Sequence, residues 1–300
     1  MDELPPDCTD GFGTVHYFKG VAFTGAQTLG QQLITIASGE AGAFNIHNLM
    51  IAGGTFARDN LNAGMSPSTP AYTVQWKQGW QTSTSFFDGN ANTITVQGME
   101  SDTDEYDDPV LMHEYGHFLE NNFSQSDNPG GDHDGSPADP RLGWGEGYGT
   151  YVGCRIAGTS VYFDTKASGT SVTDLNNTGI NAMLDAPEGI QQLVSEYMVG
   201  ELLWQLDWGS GGDTAGVGAT GGQGPAPIFD VLGHYFKGNA HFKDRGVMGR
   251  DLVDFVDGLF CRDFEMKAAA STPVVQALLV GHGWPYDDFD HTQAPVGSCK

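Results

Sequence analysis

The chain has 300 residues, with 38 Asp and Glu against 13 Lys and Arg and a formal net charge of −25 at pH 7. That length can bury a sizeable core, as one large domain or as two lobes. The charge repels nucleic acid and anionic membranes, which argues against both as partners, and no apolar run is long enough to cross a bilayer.

No charged-then-apolar signal segment opens the chain. Met1 followed by Asp2-Glu3-Leu4-Pro5-Pro6-Asp7 reads as a start added to a trimmed mature protein, with a natural cytosolic start as the alternative. Few lysines, abundant Gly, Asn, Ser and Thr, and an acidic balance suit a secreted bacterial protein, expected to act as a monomer. Cys8, Cys154, Cys261 and Cys299 show no Cys-x-x-Cys spacing, which argues against a zinc knuckle or a thioredoxin-like site. Two disulfides in any of three pairings fit an extracellular protein, and four buried free thiols fit a cytosolic one.

Taken in chain order, Val15-His16-Tyr17-Phe18 is a short β-like run. Residues 41–62 predict a helix with apolar positions Phe44, Ile46, Leu49, Ile51 and Phe56, weakened by Gly53-Gly54. Residues 72–97 predict strands: Tyr72–Trp76 alternates, and the runs at 83–87 and 93–96 flank a turn-rich Asp88–Asn92 in the manner of a hairpin. The acidic run Asp102, Asp104, Glu105, Asp107, Asp108 reads as a solvated loop, with calcium binding as the minority alternative. Asp108-Pro109 supplies an N-cap followed by proline at the first helical position and predicts a helix over 109–123.

Residues 124–145 read as loop, and a second, short helix is expected near Gly145. A longer amphipathic helix is predicted over 188–207, a glycine-rich surface loop over 208–226, and further helices at 227–237, 248–260 and 272–282. No internal repeat is found. Strand signals therefore precede residue 125 and helical signals follow it. The expected fold is α+β with two lobes: residues 1–125, a mixed sheet with helices, and residues 126–300, mainly helical. They are expected to meet near residues 125–145, where a cleft belongs.

The chemistry concentrates in His113-Glu114-Tyr115-Gly116-His117. Helical residues four apart share a face, so His113 and His117 can hold one metal ion while Glu114 reaches a water beside it. A catalytic zinc needs a third protein ligand. Glu146, in Gly143-Trp144-Gly145-Glu146-Gly147-Tyr148-Gly149-Thr150-Tyr151, is the strongest candidate, ahead of His133 and Glu120. Interior glycines weaken a helix, so their density here makes sense if this backbone passes very close to the His113–His117 helix.

His-Glu-Tyr-Gly-His followed by Gly-Trp-Gly-Glu-Gly-Tyr-Gly resembles the gluzincin metallopeptidases, above all the fungalysin branch. The resemblance is strong over 108–151 and weak elsewhere across 40–285. It implies a two-lobed, thermolysin-like fold, zinc held by His113, His117 and Glu146, and Glu114 as general base and acid. It also implies that Ser85-Phe86-Phe87 belongs to an edge strand that pairs with an extended peptide or protein substrate.

Two departures stand out. The aspartate expected four residues after the third ligand is Thr150, and the helix histidine that stabilises the oxyanion in these families has no counterpart in Ile190–Tyr197. Tyr197 is the leading substitute, His234 the next, and zinc with a backbone donor the remaining option. Asp127, Asp132, Asp134 and Asp139 form a candidate Ca2+ site without EF-hand spacing. Gly98-Met99-Glu100 matches the amine-binding segment of clan aminopeptidases only by chance. No nucleophile elbow or Walker loop occurs. The expected function is Zn2+-dependent endopeptidase activity through a zinc-bound water activated by Glu114. The alternatives are a zinc-retaining pseudo-enzyme or peptide-binding module, and an aminopeptidase of the same clan.

Overall fold

The computed structural model describes residues 8–9, 38–61, 71–180, 194–212, 216, 220–237, 249–252, 254–256, 258, 259 and 278. The β-like run at 15–18 and nearly all of the helix expected at 272–282 lie outside them. The described chain is mixed α+β with small sheets. No described helix is long and apolar enough to cross a membrane.

Helix α1 spans Ser38–Leu61, close to the expected 41–62. It lies against a four-stranded sheet ordered β1 (Cys8–Thr9), β2 (Thr73–Gln75), β4 (Thr93–Thr95), β3 (Phe86–Asp88). Strands β1, β2 and β4 run parallel, and β3 pairs antiparallel with β4, with Phe87 opposite Ile94. The hairpin predicted from the Asp88–Asn92 turn is present, and it leaves β3 at a sheet edge. Ser85 falls just before the strand.

Helix α2 spans Asp108–Phe123. Its N-cap is Asp107, not the expected Asp108, and the Asp107 side chain makes no capping bond. That carboxylate instead accepts Thr165 N at 2.6 Å and Thr165 Oγ1 at 3.2 Å. Asp108 accepts Asn45 Nδ2 at 2.8 Å, which ties α2 to α1. Long-range partners thus took Asp108, which local spacing assigned to capping, and Asp107, which it assigned to a solvated loop.

Helix α3 spans Pro140–Ala157, far longer than the short helix expected from Gly145. Asp139 caps it by accepting Arg141 N at 2.9 Å, proline follows, and Gly158 closes it at φ 74°. The missed helix start had the same Asp-Pro signature that placed the start of α2 to within one residue. Next comes the antiparallel hairpin β5 (Val161–Lys166) and β6 (Gly169–Asp174), which the sequence reading passed over. Helix α4 spans Glu196–Trp208, the second half of the region expected at 188–207. The glycine-rich stretch after it contains a two-stranded pairing, β7 (Gly209–Ser210) with β8 (Thr220–Gly221). Helix α5, Ala226–Asp230, runs into a π-helical turn, Val231–Phe236.

One cluster of buried apolar side chains runs from Ile46 and Met50 of α1, through Val74 and Ile94 of the sheet, to Trp144, Trp204 and Phe255. Helix α3 is the axis of this core. Tyr148, Tyr151 and Val152 are fully buried along it. Cys154, also on α3, is a buried free thiol, which removes it from any disulfide; burial pushes its pKa well above the usual thiol range.

Candidate metal centre

Helix α2 sorts its residues by face. Leu111, Met112, Tyr115, Phe118 and Leu119 are fully or almost fully buried in the core. His113, Glu114 and His117 line an open cleft of ≈860 Å³. Helix α3 crosses α2 at close range. A Cβ at Gly153 would stand 2.3 Å from the Pro109 carbonyl oxygen, and one at Gly149 would stand 2.9 Å from His113 Nε2. The expected reason for the glycines holds at these two positions. Gly147 makes the equivalent approach on another side of α3, to the Glu196 carbonyl of α4. The glycines therefore admit neighbours around α3, not α2 alone.

This packing brings Glu146 to the two histidines. Glu146 Oε2 lies 3.0 Å from His113 Nε2 and 3.2 Å from His117 Nε2, and the two Nε2 atoms are 3.0 Å apart. These three side chains could hold a metal ion. A tetrahedral ion with bonds of roughly 2.0–2.2 Å places its ligands about 3.3–3.6 Å apart. The triangle here is within a few tenths of that. Two imidazoles and a carboxylate suit zinc; calcium would seek six to eight oxygens.

The surroundings orient the three groups. His113 Nδ1 lies 3.2 Å from Thr150 Oγ1, so the residue found in place of the expected aspartate does contact His113. Asn128 Nδ2 donates to Glu146 Oε1 at 2.8 Å, which directs the other carboxylate oxygen to the histidines. Glu120 is turned away: its Oε1 accepts Trp144 Nε1 at 2.9 Å, and burial raises its pKa. Burial alone would lower the His117 pKa. The adjacent Glu146 carboxylate, with further attraction from Glu114 and Glu120, reverses this and raises it to about 10. Glu146 is held well below the usual carboxylate range, because the His117 and His113 interactions outweigh its burial. The pocket thus favours positive charge between these groups.

Two residues that the sequence reading ranked low or passed over also reach the site. His133 Nε2 lies 3.4 Å from Glu146 Oε2, and its Nδ1 lies 2.8 Å from Glu196 Oε2. His133, Glu146 and Glu196 form a second group of metal-binding type sharing Glu146 with the first. Tyr162, on β5, lines the cleft with its ring centroid 5.8 Å from that of His113. Asn128 carried a visible signal, the turn-rich Asn128-Pro129-Gly130-Gly131. Glu196 and Tyr162 carried none.

Tyr197 also lines the cleft, and burial raises its pKa against the lowering effect of Thr173. His234 binds within its own turn, with Nδ1 3.1 Å from the Asp230 carbonyl oxygen. Phe86 and Phe87 line the cleft along β3, and Phe86 is exposed. The Ser85 hydroxyl is buried; it donates to Asp104 Oδ2 at 2.5 Å and accepts Gln97 N at 3.0 Å.

The calcium expectation for the 127–139 loop is not met among the described residues. Asp127 pairs with Arg250 Nη1 at 2.7 Å, Asp139 pairs with Arg141 Nη2 at 2.8 Å, and Asp134 accepts Ser136 N at 3.0 Å. Those partners draw the carboxylates apart, and no three of the loop aspartates gather within ligand reach. An acidic group forms instead from Asp102, Asp104 and Asp164, where Lys166 Nζ lies 2.7 Å from Asp164 Oδ2. No protein-family model and no curated protein matches this chain.

Proposed function

We propose that the chain is a zinc-dependent endopeptidase of gluzincin type, two-lobed and thermolysin-like, with α2 and α3 at the floor of its cleft. The observation that carries this reading is the convergence of His113 Nε2, His117 Nε2 and Glu146 Oε2 within 3.2 Å of one another, beside Glu114 in the same cleft. His113, His117 and Glu146 would hold the ion. When bound, zinc acts as a Lewis acid that acidifies water and polarises a carbonyl.

The chain's own groups do the rest. Glu114 takes the proton of the attacking water as its oxygen adds to the scissile carbonyl carbon. It then delivers that proton to the leaving nitrogen as the C–N bond breaks. An extended peptide pairs with the backbone of β3, which among the described residues lies at the sheet edge with one side open to a further strand. Phe86 and Phe87 flank that strand. An acidic, lysine-poor protein of this kind suits an extracellular setting.

The test is Glu114→Gln. The variant keeps zinc at one ion per chain and loses hydrolysis of an N-blocked fluorogenic peptide by at least about 10²-fold. Hydrolysis that survives the substitution would falsify the assignment of Glu114.

A further inference from the structure

We propose that His133, Glu146 and Glu196 form a second divalent-metal site, bridged through Glu146 to the ion held by His113 and His117. The inference rests on the metal centre proposed above, and not on peptide hydrolysis.

The shared atom is Glu146 Oε2. Three imidazole nitrogens surround it: Nε2 of His113 at 3.0 Å, of His117 at 3.2 Å and of His133 at 3.4 Å. One ion does not account for all three. His133 groups with Glu146 and Glu196, whose ligand atoms all lie within 4.8 Å of one another, and not with the two helix histidines. Its ring is parallel to that of His113, with centroids 6.3 Å apart and an interplanar angle of 4°. Two imidazoles held side by side, both near one carboxylate oxygen, suit two ions with that oxygen between them. Paired ions of this kind sit about 3.5–4 Å apart.

Glu196 points to a cation independently. The residue is 5% exposed, and its Oε1 accepts Gly135 N at 2.9 Å. Its Oε2 is buried with no hydrogen-bond partner among the described residues, although His133 Nδ1 lies 2.8 Å away. The imidazole is thus close to this oxygen without satisfying it. The lysine that lines the cleft, Lys166, pairs with Asp164 at 2.7 Å. A buried carboxylate oxygen without a donor is costly, and a divalent ion at this position removes the cost.

The fold holds the parts of this site together. Ser195 Oγ donates to the Gly135 carbonyl at 2.7 Å, and Ala138 and Val194 exchange two backbone bonds, at 3.0 and 2.9 Å. These contacts clamp the loop that carries His133 against the start of α4. Gly135 has φ +84°, and a Cβ there would lie 2.2 Å from the Tyr197 ring, so the turn is specific to glycine. One imidazole and two carboxylates suit zinc or another first-row divalent ion; calcium would seek six to eight oxygens. The His133 side chain is 39% exposed and borders the cleft, which leaves room for water on the ion. With one imidazole against two, the second site fills after the first, and protein prepared without excess zinc carries one ion.

Zinc titration of the metal-free full chain tests this. Bound ions are counted by native mass spectrometry, and affinities come from competition with a chromophoric chelator. The wild type binds two ions, the second only at higher free zinc. His133→Ala and Glu196→Gln keep the first ion. Their affinity for the second falls by at least about 10–100-fold, the cost of losing an outer support, since here a ligand itself is lost. Glu196→Gln retains an oxygen for Gly135 N, and His133 is partly exposed, so the two variants check each other against a folding defect. Cobalt in both sites gives a spin-coupled pair in the wild type and an uncoupled ion in the variants. A wild type that saturates at one zinc per chain overturns the proposal. So does a second ion that survives both substitutions, and so does loss of the first ion in His133→Ala, which would make His133 a ligand of a single site. Failure of the peptidase reading looks different, because protein loaded with one ion would then cleave no N-blocked peptide, whatever its capacity for a second.

Discussion

Gly149→Ala tests the close crossing of α2 and α3 on which the metal centre depends. The new methyl carbon would lie 2.9, 3.0 and 3.1 Å from Nε2, Cε1 and Cδ2 of His113. Ordinary carbon contacts lie near 3.5–4.0 Å, so the imidazole must retreat by about 0.5 Å or the helices must part. Metal–ligand distances tolerate about 0.2 Å. Metal affinity should therefore fall by about 10–100-fold, the usual cost of disturbing a ligand's immediate support. Folding of the metal-free protein changes less. Alanine gains about 1 kcal/mol of helix propensity over glycine, against an overpacking cost of about 1–3 kcal/mol. The assay is competition for zinc with a chromophoric chelator, set beside urea unfolding of the metal-free protein. Gly54→Ala is the control, since nothing lies within 4 Å of the methyl it adds to α1. It should stabilise by about 0.5–1 kcal/mol with zinc affinity unchanged. Wild-type zinc affinity in Gly149→Ala would refute a site centred on His113.

Two further predictions concern the surroundings of the site. Thr150→Val removes the oxygen 3.2 Å from His113 Nδ1 at nearly constant volume, and zinc affinity should drop by about tenfold while Thr150→Ser retains it; equal affinities in all three proteins would exclude an orienting role for this hydroxyl. Asp104 has its pKa raised from 3.8 to about 7, chiefly by burial against the lowering effect of Ser85, with Asp102 and Asp164 adding repulsion. Between about pH 4 and 7 the folded protein keeps a proton there that the unfolded chain has lost. The stability from this carboxyl is full below pH 4 and is lost as pH rises through 7, at on the order of 1.4 kcal/mol per pH unit. Asp104→Asn, which can still accept from Ser85, should flatten that fall in urea titrations from pH 4 to 8; parallel wild-type and variant curves would show that Asp104 does not titrate in this window.

How much the sequence disclosed depended on whether a partner was near or far along the chain. His113, Glu114 and His117 were legible because four-residue spacing is a property of one helix. Glu146 was legible because glycines without a local purpose implied a close neighbour, and Gly149 and Gly153 do face α2. Asp107 and Asp108 were misread because their partners, Thr165 and Asn45, are 58 and 63 residues away. The start of α3 was misread for a different reason: its local Asp139-Pro140 signature was outweighed by the loop-like residues before it and the glycines after it. His133 was undervalued because its anchor, Glu196, is far off in sequence and lay inside what looked like an unbroken helix over 188–207. The real helix begins at Glu196, so its first turn faces the loop.

The centre is also unusual in its charge. Glu114, Glu120, Glu146 and Glu196 are each no more than 8% exposed, and three of them interact closely with histidines or a tryptophan. Buried carboxylates are costly unless paired, so this group makes little sense as a source of stability. Stability has other sources: the fully buried Trp204, Tyr151 and Phe236, with Phe118 of α2 and Ile46 of α1. The acidic groups are then free to be arranged for chemistry. Trp144 donates to one oxygen of Glu120, Gly135 N and His133 engage Glu196, and Asn128 with the two helix histidines orient Glu146. Among the described residues, Glu114 alone of the four receives no hydrogen bond at its carboxylate, and it opens onto the cleft. A carboxylate left without a protein donor beside a site built for a cation is suited to receive a proton from water. That contrast separates Glu114 from its three neighbours and supports the proposal that it, and none of them, is the base.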